Sequence, residues 1–208
     1  MVAELTRRWA QGWTVSRGTP APVATPWGLR IEVGAPNQLR RHVLLEPREA
    51  GVRELVASIQ EPLTWIKSHA EPAELAPWLP AGWVEDDPGW LMAVDVAPAA
   101  VVVPEGYVVT SEVVGGVTYI RILTTSGDLA ARGQYGHVGD YGTVDQIVTE
   151  PEHRRRGLGS VVMNSLANVA YELGASTTVL GATVEGRALY EALGWKVHAP
   201  LAGFIYKK

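Results

Sequence analysis

A short glycine-containing turn near Gly157 most constrains the fold of this chain, because it joins an extended apolar segment to a long amphipathic one. Gly142 to Thr149 has the composition of a strand, and Pro151 ends it because proline lacks the amide that a central strand needs. The following turn, Arg154 to Gly159, contains two glycines without Cβ atoms, so its backbone amides can turn inward. Amides at a helix start attract anions, and arginines add positive charge. The sequence therefore predicts a phosphate site here.

This turn begins a series of alternating helices and strands. Apolar residues from Leu158 to Leu173 recur at helical spacing, and Gly174 is typical of a left-handed helix cap. Ser176 to Leu180 is β-branched and predicts a strand, and Glu185 to Leu193 predicts a short helix. Together they form one βαβα unit, which predicts an α/β protein.

Two motifs in this unit resemble the signatures of a known family. The segment Pro151 to Gly159, with the pattern P-x-x-R-x-x-G-x-G, is similar to the coenzyme A motif of the GNAT superfamily of acyl-CoA-dependent N-acyltransferases. Gly186 to Trp195, a Leu-Tyr helix ending in Gly-Trp, is similar to the second signature of that family. The resemblance extends over Tyr107 to Lys208 and implies the GNAT fold, a mixed α+β sheet.

The resemblance also implies roles for individual residues. Backbone groups at Ile147 to Thr149 would pair with the pantetheine arm, and one N–H there would polarise the thioester carbonyl. Tyr190 would be the general acid, because a phenol with a pKa of about 10 stays protonated at neutral pH. The residues assigned to acetyl-CoA binding are Ile147, Val148, Thr149, Arg154, Arg155, Arg156, Gly157, Leu158, Gly159, Ser160 and Thr183.

The general base is less clearly marked in the sequence. Asp145 is the best placed carboxylate, because strand alternation would put it on one face with Ile147 and Thr149. His137, in a predicted strand over Leu129 to Val138, and Glu112 are weaker candidates. Ordered water is a further alternative, since members of the family often manage without a basic side chain.

The first half of the chain carries a weaker version of the same pattern. An apolar segment ends at Glu46-Pro47, and a helical stretch follows at Arg48 to Gln60. Gly82-Trp83 corresponds to the Gly-Trp pair of the second half, and Trp90 to Val96 corresponds to the closing strand at Gly203 to Tyr206. The sequence therefore resembles a tandem GNAT protein.

We predict a degenerate structural domain over residues 1–97 and an acetyl-CoA-binding GNAT domain over residues 98–208, with Pro98 to Pro104 as the linker. In the first copy, Arg48 to Arg53 has no second glycine and places a carboxylate where a phosphate would lie. Trp78 stands at the position of Tyr190, so the hydroxyl is absent as well. We expect that this copy does not bind coenzyme A.

The second half lacks the two helices that usually separate the first two strands of the family. Tyr107 to Val114 and Val117 to Thr125 instead form a predicted tight hairpin around Gly115-Gly116. We therefore expect the first half to cover the acceptor site. Seven of the eight tryptophans lie at or before Trp90, where they either fill the core and the interface between the halves or line an acceptor pocket.

Composition narrows the class of protein further. The 208 residues, 47% of them hydrophobic, can bury a sizeable core, and no apolar run is long enough for a membrane span. The absence of cysteine excludes disulfides and cysteine metal sites, and no metal is expected. A net charge of −4 provides no basic surface for nucleic acid. The start of the chain has no apolar signal core, so we expect a cytoplasmic protein.

These observations predict an N-acetyltransferase that moves an acetyl group from acetyl-CoA to a primary amine of a small molecule. Thr178 and Thr183 occupy positions where enzymes that acetylate protein N-termini tend to carry glutamate and asparagine, which disfavours a protein acceptor. The alternatives are a non-catalytic acyl-CoA sensor and an interaction protein. A monomer is favoured over a dimer, while the acceptor amine and the acyl chain length stay open.

Overall fold

The computed structural model describes all 208 residues, which form five α-helices and thirteen strands in two mixed sheets. The helices are α1 (Val2–Arg17), α2 (Glu49–Ser58), α3 (Pro72–Leu75), α4 (Leu158–Glu172) and α5 (Val184–Ala192). The strands are β1 (Val23–Thr25), β2 (Gly28–Ala35), β3 (Gln38–Leu44), β4 (Thr64–Ser68), β5 (Trp83–Glu85), β6 (Trp90–Asp95), β7 (Tyr107–Val114), β8 (Val117–Thr124), β9 (Leu129–Val138), β10 (Tyr141–Thr149), β11 (Thr177–Ala182), β12 (Lys196–Pro200) and β13 (Ala202–Tyr206). The mixed α/β class expected from the sequence is confirmed.

Each sheet contains a single parallel pair with antiparallel strands on both sides. The first sheet has the order β1-β2-β3-β4-β13-β5, and only β3 and β4 are parallel. The second has the order β12-β6-β11-β10-β9-β8-β7, and only β10 and β11 are parallel. Reading outward from the parallel pair, the two sheets repeat the same sequence of strand directions.

The two halves of the chain exchange one strand each. The last strand, β13, lies in the first sheet, where Phe204 pairs with Ile66 of β4 and Glu85 of β5. In return β6 lies in the second sheet, where Met92 pairs with Leu180 of β11 and Val197 of β12. The boundary predicted between residues 97 and 98 therefore does not separate two closed sheets, because each sheet is completed by a strand from the other half.

Helix α1 lies between the two sheets. Trp9 and Trp13 are buried on it and pack in one cluster with residues of both sheets. The other members of that cluster are Ala10, Leu29, Ile31, Val43, Leu45, Leu91, Ala93, Val179 and Leu201. Gly12 allows the helix to approach β10 closely, because a Cβ at Gly12 would collide with the side chain of Thr143. We did not predict this helix, although Leu5, Trp9 and Trp13 follow helical spacing.

Helix α4 covers the opposite face of the second sheet. Leu158, Val162 and Leu166 are buried there in the largest apolar cluster, together with Ile122 of β8 and Tyr135 of β9. The predicted left-handed glycine after this helix is confirmed, with φ of 76° at Gly174. Burial of this face fixes the start of α4 at the end of β10, which positions the glycine turn.

The predicted hairpin is also present, and the segment Pro98 to Pro104, predicted as a linker, contains no helix or strand. Gly115 and Gly116 have φ of 59° and 82°, which a tight turn between β7 and β8 requires. Ala99 in the linker exchanges two hydrogen bonds with the side chain of Asn168 on α4, at 2.8 and 3.0 Å. The linker thus runs along α4 rather than hanging free. No helix of the structure combines the length and the apolar surface that crossing a bilayer would need.

Candidate active site

The parallel strands β10 and β11 separate after a short paired stretch. They pair only from Tyr141–Thr177 to Thr143–Val179, although β10 continues to Thr149. The cause lies in β10, where Gln146 adopts φ of 57° and the register against β9 shifts between Asp145 and Val148. This β-bulge turns β10 away from β11 while it stays paired with β9. A V-shaped opening therefore forms in the sheet.

A cavity of about 1080 Å³ occupies this opening. Both predicted catalytic residues, Asp145 and Tyr190, line it. All of the predicted acetyl-CoA-binding residues except Arg156 line it too, namely Ile147, Val148, Thr149, Arg154, Arg155, Gly157, Leu158, Gly159, Ser160 and Thr183. The fold thus brings together side chains and backbone from β10, the glycine turn and α5.

The glycine turn is shaped as an anion site. Arg155 and Gly157 both have left-handed backbone angles, with φ of 59° and 78°. The backbone amides of residues 155–159 donate to no protein acceptor, whereas the Ser160 amide is already bonded to the Gly157 carbonyl at 3.1 Å. Free amides at the start of a 15-residue helix carry partial positive charge. The turn can therefore bind an anion with several N–H groups at once.

The three arginines of the turn have different roles. Arg154 Nε donates to the Thr149 carbonyl at 3.2 Å, which ties the turn to the end of β10. Arg155 lines the cavity. Arg156 points away from it and donates to the Tyr107 hydroxyl at 3.1 Å. The prediction that Arg156 contacts the coenzyme therefore has no support in its orientation, because its guanidinium is used to fasten the turn to β7.

Tyr190 lies on α5 with its ring buried and its side chain at the cavity wall. Its hydroxyl has no hydrogen-bond partner in the protein, so it is free to contact a bound molecule. Burial, and secondly the nearby charge of Asp145, raise the pKa of Tyr190 to about 12. The phenol is therefore held in the protonated form, which is the state that a proton donor needs.

Asp145 faces α1 on the other side of the sheet. Arg17 Nη2 donates to its Oδ1 at 3.1 Å, Ser16 Oγ donates to its Oδ2 at 3.2 Å, and Arg17 Nε also bonds to Oδ2. Neither Ser16 nor Arg17 was singled out from the sequence, because they precede Asp145 by more than 120 residues. Asp145 is 17% exposed at the cavity, so its charge is partly shielded from water.

The expected alignment of Asp145 with Ile147 on one face is wrong. Ile147 packs against the α4 side of the sheet, close to Val162 and Gly133. The bulge at Gln146 adds a residue to the strand and so reverses the alternation of side chains. A bulge without glycine or proline leaves little signal in the sequence.

The two weaker base candidates lie away from the site. Glu112 is on the outermost strand β7, where it pairs with Arg121 at 2.6 Å. His137 packs beside Tyr135, with ring centroids 6.1 Å apart, and does not line the cavity. Thr183 does line the cavity, but its hydroxyl also caps α5 by accepting from the Gly186 amide at 3.2 Å.

Comparison with known proteins identifies the class of this site. The model of the acetyltransferase (GNAT) family matches residues 55–195, well over half of the chain. The match supports an acyltransferase enzyme. The chain belongs to the GNAT family of acetyltransferases, whose members use acetyl-CoA as cosubstrate. A comparison with curated proteins found no match.

Solved structures share the fold over the whole chain. A GCN5-related N-acetyltransferase from Kribbella flavida is 16% identical, with a TM-score of 0.74, and the match covers 100% of this chain and 96% of that one. A GNAT-family protein from Novosphingobium aromaticivorans is 18% identical, with a TM-score of 0.61 and coverage of 97% and 99%. A tandem GNAT protein from the clavulanic acid biosynthesis pathway is 15% identical, with a TM-score of 0.55 and coverage of 98% and 93%. At these identities the likeness concerns the fold.

Proposed function

We propose that this protein transfers an acetyl group from acetyl-CoA to a primary amine of a small molecule by direct attack. One observation carries the proposal. The opening between β10 and β11 forms a continuous cavity from the free amides of residues 155–159 to the side chain of Tyr190. A thioester whose diphosphate is held at the turn would therefore reach the buried phenol.

The donor would be held mainly by backbone groups. The amides of residues 155–159 bind the diphosphate, and the side chains of Arg155 and Ser160 add further donors. On the side of β11, the edge of β10 at Ile147, Val148 and Thr149 faces the opening and has no strand partner. This edge can therefore pair with the amides of pantetheine. An N–H of this edge would also stabilise negative charge on the thioester oxygen during attack.

Tyr190 would supply the proton for the leaving group. In the reaction a C–N bond forms between the amine and the acetyl carbon, and the C–S bond breaks. The departing thiolate takes the phenolic proton, and the phenolate is reprotonated by the proton that the attacking nitrogen loses, carried by water. The charge of Asp145 disfavours the phenolate and so keeps the phenol protonated before the reaction.

Asp145 is the proposed base for the acceptor ammonium. Its carboxylate reaches the cavity and attracts a cation, but both oxygens already accept bonds from Arg17 or Ser16. One oxygen must therefore be shared with the acceptor before it can take a proton. Replacement of Asp145 by Asn separates this role from the alternative of ordered water, since activity independent of residue 145 would favour water.

We also propose that residues 1–97 are a degenerate copy of the GNAT unit and that residues 98–208 form the acetyl-CoA-binding unit. In the strand orders β2-β3-β4-β13-β5 and β9-β10-β11-β6-β12, each pair of neighbours in one order is parallel or antiparallel as the corresponding pair in the other is. This agreement supports a duplication. The packing of α1 against β9 and β10 supports a covering role for the first half. Because such copies satisfy each other's contacts internally, we expect a monomer, acting in the cytoplasm.

Mass spectrometry of the purified protein for bound coenzyme A species, followed by calorimetry with acetyl-CoA, tests donor binding. A panel of small amines with acetyl-CoA then tests transfer, with peptides included as competing acceptors. Binding together with amine acetylation is expected. Tight binding without transfer to any amine would favour a sensor, and no heat with any CoA derivative would refute the proposal.

A further inference from the structure

Arg41 is a buried cation at the interface between the halves. It lies on β3, is 7% exposed, and its guanidinium carbon is 4.0 Å from the centroid of the Trp13 ring. The ring centroids of Trp9 and Trp65 lie 5.6 and 6.0 Å from the same guanidinium carbon. Indole faces attract cations, but they do not replace the hydrogen bonds that a guanidinium loses on leaving water.

The hydrogen bonding of Arg41 is incomplete. Its only protein partner is Gln38, whose Oε1 accepts from Nη2 at 3.0 Å. Nε is buried and has no acceptor. Nη1 also donates to no protein group, but it is not closed off from solvent. Burial lowers the pKa of Arg41 to about 10, with a smaller opposing effect from Asp145. By contrast Arg40, the next residue along β3, forms an ion pair with Glu32 at 2.9 Å.

Arg41 differs from the neighbouring cations because no carboxylate contacts it. Arg17 is paired with Asp145, and Lys67 is paired with Asp86 at 2.6 Å. Together with Asp87, these are the groups that act electrostatically on Arg41 or on its neighbour Lys67, so the cluster holds three cations and three carboxylates. Among these cations only Arg41 has no carboxylate in contact. The guanidinium of Arg41 therefore has room for an anion as a direct hydrogen-bond partner.

Arg41 is also next to the proposed acceptor side of the cavity. Trp13 contacts the guanidinium of Arg41 and, at 5.2 Å, that of Arg17. Arg17 and its partner Asp145 line the cavity. A single indole thus separates the unpaired cation from the place where an amine would meet the thioester.

We propose that the acceptor amine carries a carboxylate, as an amino acid does, and that Arg41 binds this carboxylate. The inference rests on the proposed function and adds the substrate class to it. A planar guanidinium with two free nitrogens suits a carboxylate, and a charge-assisted bond in a shielded site is strong. The Arg17–Asp145 pair would then lie beside the ammonium group of the same molecule.

Matched acceptors provide the test. The common amino acids, each beside its carboxamide, are assayed with acetyl-CoA. In the wild type we expect kcat/KM at least about tenfold higher for acids than for amides, and Arg41→Gln should remove this preference through a higher KM for acids alone. Arg40→Gln is the control, because Arg40 is paired with Glu32 and should leave the preference unchanged. Equal use of acids and amides by the wild type would overturn the inference.

A second measurement keeps the inference testable if no amine is acetylated or if Arg41→Gln does not fold. Calorimetry is carried out with N-acetyl amino acids and their amides on the wild type saturated with coenzyme A, and on Arg41→Lys. The inference is supported, even where transfer fails, if the wild type binds the acids but not the amides and if Arg41→Lys binds the acids at least about fivefold more weakly. No binding of the acids, or equal binding of acids and amides, refutes it, while loss of transfer with CoA bound refutes only the proposed reaction.

Discussion

The parallel pairs of the two sheets differ in how far they stay paired, and in our proposal this difference decides which of them can hold a thioester. In the first sheet β3 and β4 pair at every residue of β4, from Arg40–Thr64 to Leu44–Ser68. In the second, β10 and β11 pair at three positions and then diverge. The bulge at Gln146 makes the difference, since β3 stays in register with β2 across the corresponding end. The same topology can therefore be a closed sheet or an open site.

The helices α4 and α2, which follow β10 and β3, also differ at their first residues. Helix α4 follows a turn in which five successive amides, those of residues 155–159, are free. The amides of residues 49–51 at the start of α2 are free as well, but Glu49 in that first turn carries a carboxylate, which accepts from Arg53 at 2.9 Å. A carboxylate in the first turn of a helix repels a phosphate that approaches the same helix start. We infer that topology alone does not make a coenzyme site, and that the bulge, the free amides and a buried hydroxyl are needed together.

Replacement of Tyr190 by Phe is expected to have the largest effect. Loss of a general acid should lower kcat by about 100-fold or more, while the affinity for acetyl-CoA stays within about twofold because the ring remains. Steady-state kinetics and calorimetry measure the two effects. Trp78→Phe, at the corresponding place of the first half, is the control and should retain activity. An unchanged kcat in Tyr190→Phe would exclude the phenol as proton donor.

The strand exchange predicts that both halves unfold together. Phe204 is 3% exposed in the first sheet, and its replacement by Ala should lower the free energy of unfolding by about 3–5 kcal/mol. Denaturation followed by tryptophan fluorescence, which reports mainly on the first half, should coincide with circular dichroism. Val197→Ala, at a position 37% exposed, should cost far less. Two separate transitions would contradict this view of the fold.

A charge in the glycine turn should weaken coenzyme binding without unfolding the protein. Gly157→Asp places a carboxylate beside the free amides and strains a backbone with φ of 78°, so acetyl-CoA affinity should fall by about 100-fold, or about 2.7 kcal/mol. Gly51→Asp makes the same change near the start of α2, where space is open. If both variants lost affinity equally, the second half would not be the only coenzyme site.

The loss of stability of the whole protein in acid should come mainly from a residue of the first half. His42 is buried without partners for either ring nitrogen, and burial, followed by the charges of Arg40 and Arg30, lowers its pKa to about 4. The unfolded chain, with a pKa of about 6.5, takes up the proton first as the pH falls. Stability is therefore full above about pH 6.5 and falls by about 2–3 kcal/mol towards pH 4.

Chemical denaturation at pH 7 and pH 4.5 measures this loss. His42→Leu should remove most of it, whereas the same change at the exposed His198 should not. Equal pH dependence in the wild type and in His42→Leu would show that other groups control acid stability.

Much of the second half could be predicted because its signals are local. The hairpin at Gly115-Gly116, the glycine turn and the helix that carries Tyr190 each depend on residues that are close in the chain. The bulge at Gln146 and the helix α1 could not be predicted in the same way. A left-handed glutamine has no compositional mark, and the pattern of α1 is interrupted by polar residues that are buried only because two sheets enclose it.

The sequence by itself determined the turn that can bind a phosphate, the hydroxyl placed after it and the absence of both from the first half. Tertiary structure alone decided that β6 and β13 change places, that Arg17 pairs with Asp145 and that Arg41 is left unpaired. The physical reason is the range of the interactions. Backbone preferences act over a few residues, whereas burial and ion pairing depend on partners that only the packing of distant segments brings together.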